Sequence, residues 1–314
     1  MRLRVRRGAL RRAWLRRTGV ERSMKKVALV HRNNQRHWVG DGFPVRTMFS
    51  YGDLARELSP FLLLDYAGPY RFPPAGKRRG VGEHPHRGFE TVTIVYDGEV
   101  EHRDSAGGGG TIGPGDVQWM TAAAGLVHEE FHSAAYTARG GAFECIQLWV
   151  NLAAKHKGVP PGYQGITAQQ IPQVLLPEGA GMVRVIAGEY KGAKGPARTF
   201  SPMQLWDVRL HQGETTAFTL RDGDTAALFV MNGQLQFAGG ETAGEATLVV
   251  FERAGSMLGC EALEDTKLLL LSGEPIDEPI VGYGPFVMNS EAEIRTAIED
   301  YRSGKMGHVG ARGS

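Results

Sequence analysis

Phe89–Tyr96 (FETVTIVY) alternates between two kinds of position and is rich in β-branched residues, which predicts a strand. Asp97-Gly98 follows, a pair that accepts the positive φ of a tight hairpin, and Glu99–Arg103 reads as the returning strand. The same texture recurs at Val27–His31, Arg46–Ser50, Phe61–Tyr66, Val117–Met120, Val127–His132 and Cys145–Asn151. A second run starts near Met182 and comprises Val183–Glu189, Gln204–Leu210, Thr215–Leu220, Ala226–Val230, Gln234–Phe237, Thr247–Glu252 and Lys267–Ser272. It contains a second strand, Asn-Gly turn and strand at Val230–Phe237, like the hairpin at Asp97-Gly98. A degenerate internal repeat of one β unit is predicted.

The pattern changes twice. Asn151–Ala180 carries Pro160-Pro161-Gly162 and a short helical stretch near Thr167–Gln170, and reads as a linker. Ser290-x-x-Glu293 is a capping box, followed by Ile294, Ala297, Ile298 and Tyr301 on one helical face, with Gly304 suited to the end. This predicts a C-terminal amphipathic helix over residues 290–303. The expected organisation is a basic extension, disordered, at 1–23; a first β-barrel at 24–152; a linker at 153–180; a second β-barrel at 181–275; and a C-terminal segment at 276–314.

Forty-three glycines favour the many tight turns of an all-β chain. The net charge of +2 is misleading, because the first 22 residues hold nine arginines and one acid, and the remainder is acidic. An acidic body argues against direct nucleic-acid binding. Cys145 and Cys260 lie far apart among apolar residues and read as buried free thiols, which fits a reducing cytoplasm. No apolar run approaches the ~18 residues of a membrane span.

The candidate chemistry lies in two short strings. His84-Pro85-His86 and His128-Glu129-Glu130 each place metal-ligand side chains two residues apart, on one face of a strand. Two antiparallel strands that oppose these pairs would form a pocket of three imidazoles and a carboxylate, suited to iron, manganese, nickel, copper or zinc. His102 reads as a surface residue or a neighbour of the site. His132 shares the strand face of His128 but sits about 13 Å along it, too far to bind the same ion. The second β-run has only His211, and Cys260-Glu261-Ala262 stands where His128–Glu130 would be repeated, so that copy is expected to carry no metal ligands.

This layout resembles the cupin superfamily, and HPHRGFETV (84–92), PGDVQWMTA (114–122) and GPFVMN (284–289) resemble the pirin family. Trp38–Val45 and Gln147–Asn151 add to the likeness. The resemblance implies two tandem cupin barrels of jelly-roll type with the helix packed on them. It implies one metal in the first barrel, held by His84, His86, His128 and Glu130. The general cupin pattern would use Glu90 instead of Glu130. Fe(II) is the expected ion, with Mn, Ni, Cu, Zn or Co as alternatives. The implied activity is that of a quercetin 2,3-dioxygenase, in which a flavonol meets O₂ and loses carbon monoxide, with Glu130 as the base. The family also implies an alternative, an iron-containing regulator whose redox state controls a protein partner.

Overall fold

The computed structural model describes residues 23–310, so nearly all of the basic extension lies outside the described residues. Strands dominate. By internal contacts the chain divides into two units: Asn34–Ile171 with Ile276 onward, and Pro172–Pro275 with the residues before Asn34. Each unit combines one seven-stranded and one four-stranded antiparallel sheet.

In the first unit the larger sheet runs in the order Gly162–Ile166, Val117–Thr121, Phe89–Asp97, Gly141–Asn151, Phe61–Phe72, Phe43–Phe49, His37–Val39. The smaller runs Gly80–His86, Leu126–His132, Val100–Asp104, Gly109–Ile112. Val45, Ala67, Val95 and Cys145 of the larger sheet share one apolar cluster with Val100 and Ile112 of the smaller. The tight turn at Asp97-Gly98 forms, with Gly98 at φ 88°, where a side chain would be strained. It is not a hairpin: Phe89–Asp97 and Val100–Asp104 belong to different sheets, so the turn carries the chain from one sheet to the other.

The second unit repeats this plan. Its larger sheet runs Val27–Arg32, Thr247–Phe251, Thr225–Asn232, Thr266–Gly273, Met203–Leu210, Gly181–Ala187, Gln173–Leu175, and its smaller runs Thr215–Thr219, Met257–Ala262, Leu235–Phe237, Thr242–Ala243.

Spatial division therefore departs from the sequential one. Val27–Arg32 pairs with Thr247–Phe251 and closes an edge of the second unit, although it precedes the first barrel in the chain. Lys25 anchors the same segment, its Nζ donating to the carbonyls of Asp224 and Arg253 at 3.0 and 2.6 Å. The stretch read as a linker supplies Gly162–Ile166, which pairs with Val117–Thr121 as the corresponding edge of the first unit. A period-two pattern reports which faces are buried, and the partner of an edge strand is chosen by the unpaired backbone it can reach. The predicted helix near Thr167 is a single 3₁₀ turn, Ala168–Gln170.

The C-terminal helix spans Glu291–Arg302, and the Ser290 Oγ accepts from the Glu293 backbone N–H at its start. Ile294 and Ala297 are buried with Phe286, Met288 and Val127, whereas Tyr301 stays exposed. The helix thus covers the outside of the strand that carries His128. No helix among the described residues is long and apolar enough to cross a membrane.

Candidate metal centre

The smaller sheet of the first unit places His84 directly opposite His128, with His86 opposite Leu126. His84 and His86 share a strand face with a period of two, so three imidazoles meet at one end of the barrel. Their ring centroids lie 4.2 Å (His84–His128), 4.8 Å (His86–His128) and 5.0 Å (His84–His86) apart. His86 and His128 are buried and His84 is partly exposed, which leaves one open side.

The outer nitrogens of the first two rings are already committed. His84 Nδ1 lies 2.8 Å from the Gly82 carbonyl and His86 Nδ1 lies 3.4 Å from the Pro285 carbonyl. A carbonyl only accepts, so both rings donate from Nδ1, and a neutral ring that does so has a bare Nε2 lone pair. Burial and then the neighbouring imidazoles push His86 and His128 well below the ordinary histidine range, so these two rings are neutral.

His84 Nε2 lies 2.8 Å from His128 Nε2. Two nitrogens each about 2.0–2.1 Å from one ion at a right angle would be about 2.9 Å apart. The spacing therefore fits a shared cation.

Glu130 sits one pleat further along. The register with Gly80–His86 slips between His128 and Glu130, and Glu130 faces Val81 on one side and His102 on the other. Its carboxylate accepts from Gln118 Nε2 (2.6 Å), Gln147 Nε2 (2.8 Å) and Thr93 Oγ1 (3.4 Å). Among the described residues, His84, His86 and His128 form one set whose ligand atoms lie within 4.8 Å of one another, and His102, His128 and Glu130 form a second. The two sets share His128. The structure does not gather the four residues named from the sequence into a single such set, because the two amides hold Glu130 on the His102 side.

Glu90 faces elsewhere. Thr93 pairs with Gln118, and Glu90 three residues earlier pairs with Thr121, in unbroken register. An odd offset turns a side chain to the opposite face of the sheet. Glu90 is buried there, donated to by Thr121 Oγ1 at 2.7 Å, and desolvation raises its carboxyl to about 7. Among the described residues, no set with metal-ligand spacing includes it.

His102 is not a surface residue, for it is fully buried. Its Nε2 contacts Asp104 Oδ2 at 3.1 Å and its Nδ1 contacts His128 Nδ1 at 3.2 Å. The ring of Tyr163 stacks on it at 5.0 Å and 15°. Burial and the charges of Glu130 and Asp104 push the Tyr163 hydroxyl up to about 12, so it keeps its proton. His132 is buried in a box of Phe43, Phe72, Tyr136 and Phe143, its Nε2 2.9 Å from the Gly42 carbonyl.

Gln118, Gln147 and Tyr163 were not marked by ligand spacing. The available signal was a glutamine inside an apolar strand, Val117-Gln118-Trp119-Met120, all buried. A polar side chain in such a place requires a buried partner. Aromatic rings close the other side of the histidines. Phe89 stacks on Trp149 at 4.3 Å, and both rings lie 5.2 Å from His86.

Comparison with known proteins agrees with this architecture. Residues 42–150 match the Pirin family and residues 205–307 match the Pirin C-terminal cupin domain. A Pseudomonas aeruginosa protein named "Putative quercetin 2,3-dioxygenase" is 57% identical over 282 residues, covering 90% of this chain and 98% of its own. Pirin of Mus musculus is 36% identical over 298 residues, covering 92% and 97%. A crystal structure described as quercetin 2,3-dioxygenase from Acinetobacter baumannii superposes with a TM-score of 0.90 at 52% identity, covering 92% of this chain and all of that one. With both halves matched in order and the relatives aligned over most of their length, the chain belongs to the pirin family and is built as a two-cupin protein.

Proposed function

We propose that the protein is a metal-dependent dioxygenase that opens the ring of a flavonol such as quercetin with O₂ and releases carbon monoxide. The reading is carried by the convergence of three imidazole nitrogens, two of them on buried neutral rings, beside a buried carboxylate. It draws further support from relatives named for that activity. His84, His86, His128 and Glu130 are the proposed ligands, and Fe(II) the proposed ion. When bound, the ion supplies the Lewis-acid and redox chemistry that lets a flavonolate react with dioxygen.

The protein's own residues would bind, orient and move a proton. Glu130 is the proposed acceptor of the flavonol 3-hydroxyl proton. Its carboxylate accepts at Oε1 from Gln118 and Thr93 and at Oε2 from Gln147, so Oε2 has a second lone-pair site for the arriving proton. Gln118 and Gln147 thus hold Glu130 before proton transfer and accommodate it afterwards. Phe89 and Trp149 wall the pocket with apolar surface and keep water from the bound flavonolate.

Anaerobic purification with metal analysis, followed by oxygen uptake and carbon monoxide release on adding quercetin, tests the reading. Stoichiometric CO that is lost in His84→Ala supports it. Bound iron with no oxygen uptake would overturn it in favour of a regulatory protein. In Glu130→Gln, retained metal with turnover reduced at least ~100-fold is expected for a general base. Full turnover would remove that role.

A further inference from the structure

We propose that Asp104 and His102 form a hydrogen-bond relay that fixes His128 in the one tautomer able to present Nε2 to the metal. The proposal rests on the metal-site reading above and adds two positioning residues to it.

The relay begins at the backbone. Asp104 Oδ1 accepts from the N–H groups of Ala106 (2.9 Å) and Gly108 (2.8 Å), which fixes the carboxylate and directs Oδ2 at His102 Nε2, 3.1 Å away. A carboxylate only accepts, so His102 donates from Nε2, and a neutral ring that does so is bare at Nδ1. That lone pair faces His128 Nδ1 at 3.2 Å. The contact is a hydrogen bond when His128 carries its proton on Nδ1, and His128 Nε2 is then bare and directed at His84. Three consecutive donor–acceptor choices propagate from a backbone-anchored carboxylate to the ligand atom. The side chains of His102 and Asp104 are 0% and 1% exposed, so water does not compete for these positions. Tyr163 stacks on His102 and holds its ring plane.

The fold does not require this pair. Asp104 and His102 pair across the sheet with His128 and Glu130. In the second unit the corresponding strand offers Phe237 and Leu235, paired with Cys260 and Ala262. An aspartate and a histidine, buried where the repeat has hydrocarbon, belong to the site. Partners of this kind fix ligand orientation and raise ligand basicity, and losing them costs typically 10–100-fold in metal affinity.

Asp104→Asn gives a sharp test. In that variant the side-chain Oδ1 keeps the two backbone N–H groups, and an amide Nδ2 faces His102 in place of Oδ2. His102 must then accept at Nε2 and donate from Nδ1, and His128 must accept at Nδ1 and carry its proton on Nε2, the ligand position. The variant preserves size and anchoring and reverses the chain of donors.

The first measurement is long-range ¹H–¹⁵N correlation of the histidine rings in the metal-free full-length protein. Wild type is expected to show His128 protonated on Nδ1, and Asp104→Asn to show it protonated on Nε2. A wild-type ring protonated on Nε2, or one unchanged by the substitution, would overturn the relay. The second is Co(II) titration read by its visible spectrum. Asp104→Asn is expected to bind about 10–100-fold more weakly. His102→Asn, which offers an acceptor in place of Nδ1, is expected to bind better than His102→Leu, which offers none. Equal binding by wild type, Asp104→Asn and His102→Leu overturns the relay alone. If wild type binds no Co(II), or binds it unchanged in His84→Ala, the metal reading itself fails and the relay loses its role with it.

Discussion

His128 lies between His84 and Asp104 across its sheet, while Cys260, at the matching place in the second unit, lies between Thr216 and Phe237. The two four-stranded sheets are paired alike and filled in opposite ways. In the second unit Phe218, Leu235, Phe237, Leu258, Cys260 and Ala262 belong to one apolar cluster with the facing sheet. In the first, the same six positions hold His86, His102, His128, Asp104, Glu130 and Leu126, that is, three imidazoles, two carboxylates and one leucine, with Gln118 and Gln147 supplied from the facing sheet. The difference shows that this β-pairing closes over hydrocarbon without help. The polar interior of the first unit is a departure from the pattern, which is where function is expected.

The largest expected effect comes from making the first interior resemble the second. His128→Leu should abolish metal binding, a loss of more than ~100-fold for removal of a shared ligand. The metal-free fold should persist, because the second unit tolerates an apolar residue there. Metal analysis and thermal melting check both halves, and retained metal would show that His128 is not a ligand.

Phe218→Ala opens a cavity in the packed second interior, where Phe218 is fully buried. A loss of about 3–5 kcal/mol is expected in urea unfolding, with metal per folded chain unchanged. A parallel loss of metal would mean that the two interiors are not independent.

Glu90 tests the outer face of the first unit. Its carboxyl is raised by burial from 4.5 to about 7, so the folded state holds the proton longer than the unfolded chain. Stability from this group is present below pH 4.5 and lost as pH rises toward 7. The shift corresponds to on the order of 3 kcal/mol. Glu90→Gln should flatten that slope, being more stable than wild type at about pH 8 and similar at about pH 4.5. Denaturant midpoints across this range decide it, and an unchanged slope would place the titration elsewhere.

The smallest effect is shared by both units. Burial pushes the Cys145 thiol up, and the Cys260 thiol up to about 12. Neither should react with a thiol reagent until the protein unfolds. Rapid labelling of one of them in the native state would mark its interior as open.

The histidine pair at 84 and 86 and the pair at 128 and 130 were legible because strand geometry is local. A period of two states which side chains share a face before any partner is known. The C-terminal helix was legible for the same reason, since its cap and apolar spacing lie within one turn of each other. Its seventh-residue contact was not, because Tyr301 lies past the surface that the helix covers. The pairing of Val27–Arg32 with the second unit, and the use of Gly162–Ile166 as an edge of the first, could not be read from pattern. Both strands carry an ordinary alternation, and their partners lie far along the chain.

By itself, then, the sequence determined the all-β class, the repeated unit, the three histidines and the absence of counterparts to them in the second copy. These depend on residue type and on spacings of a few residues. Only the tertiary structure decided that Glu130 turns toward His102, that Glu90 turns away, that Asp104 and Tyr163 contact His102, and that Gln118 and Gln147 contact Glu130. Those outcomes depend on register between strands, and register is set by backbone hydrogen bonds and packing across the barrel, where a slip of one residue reverses the face of every side chain.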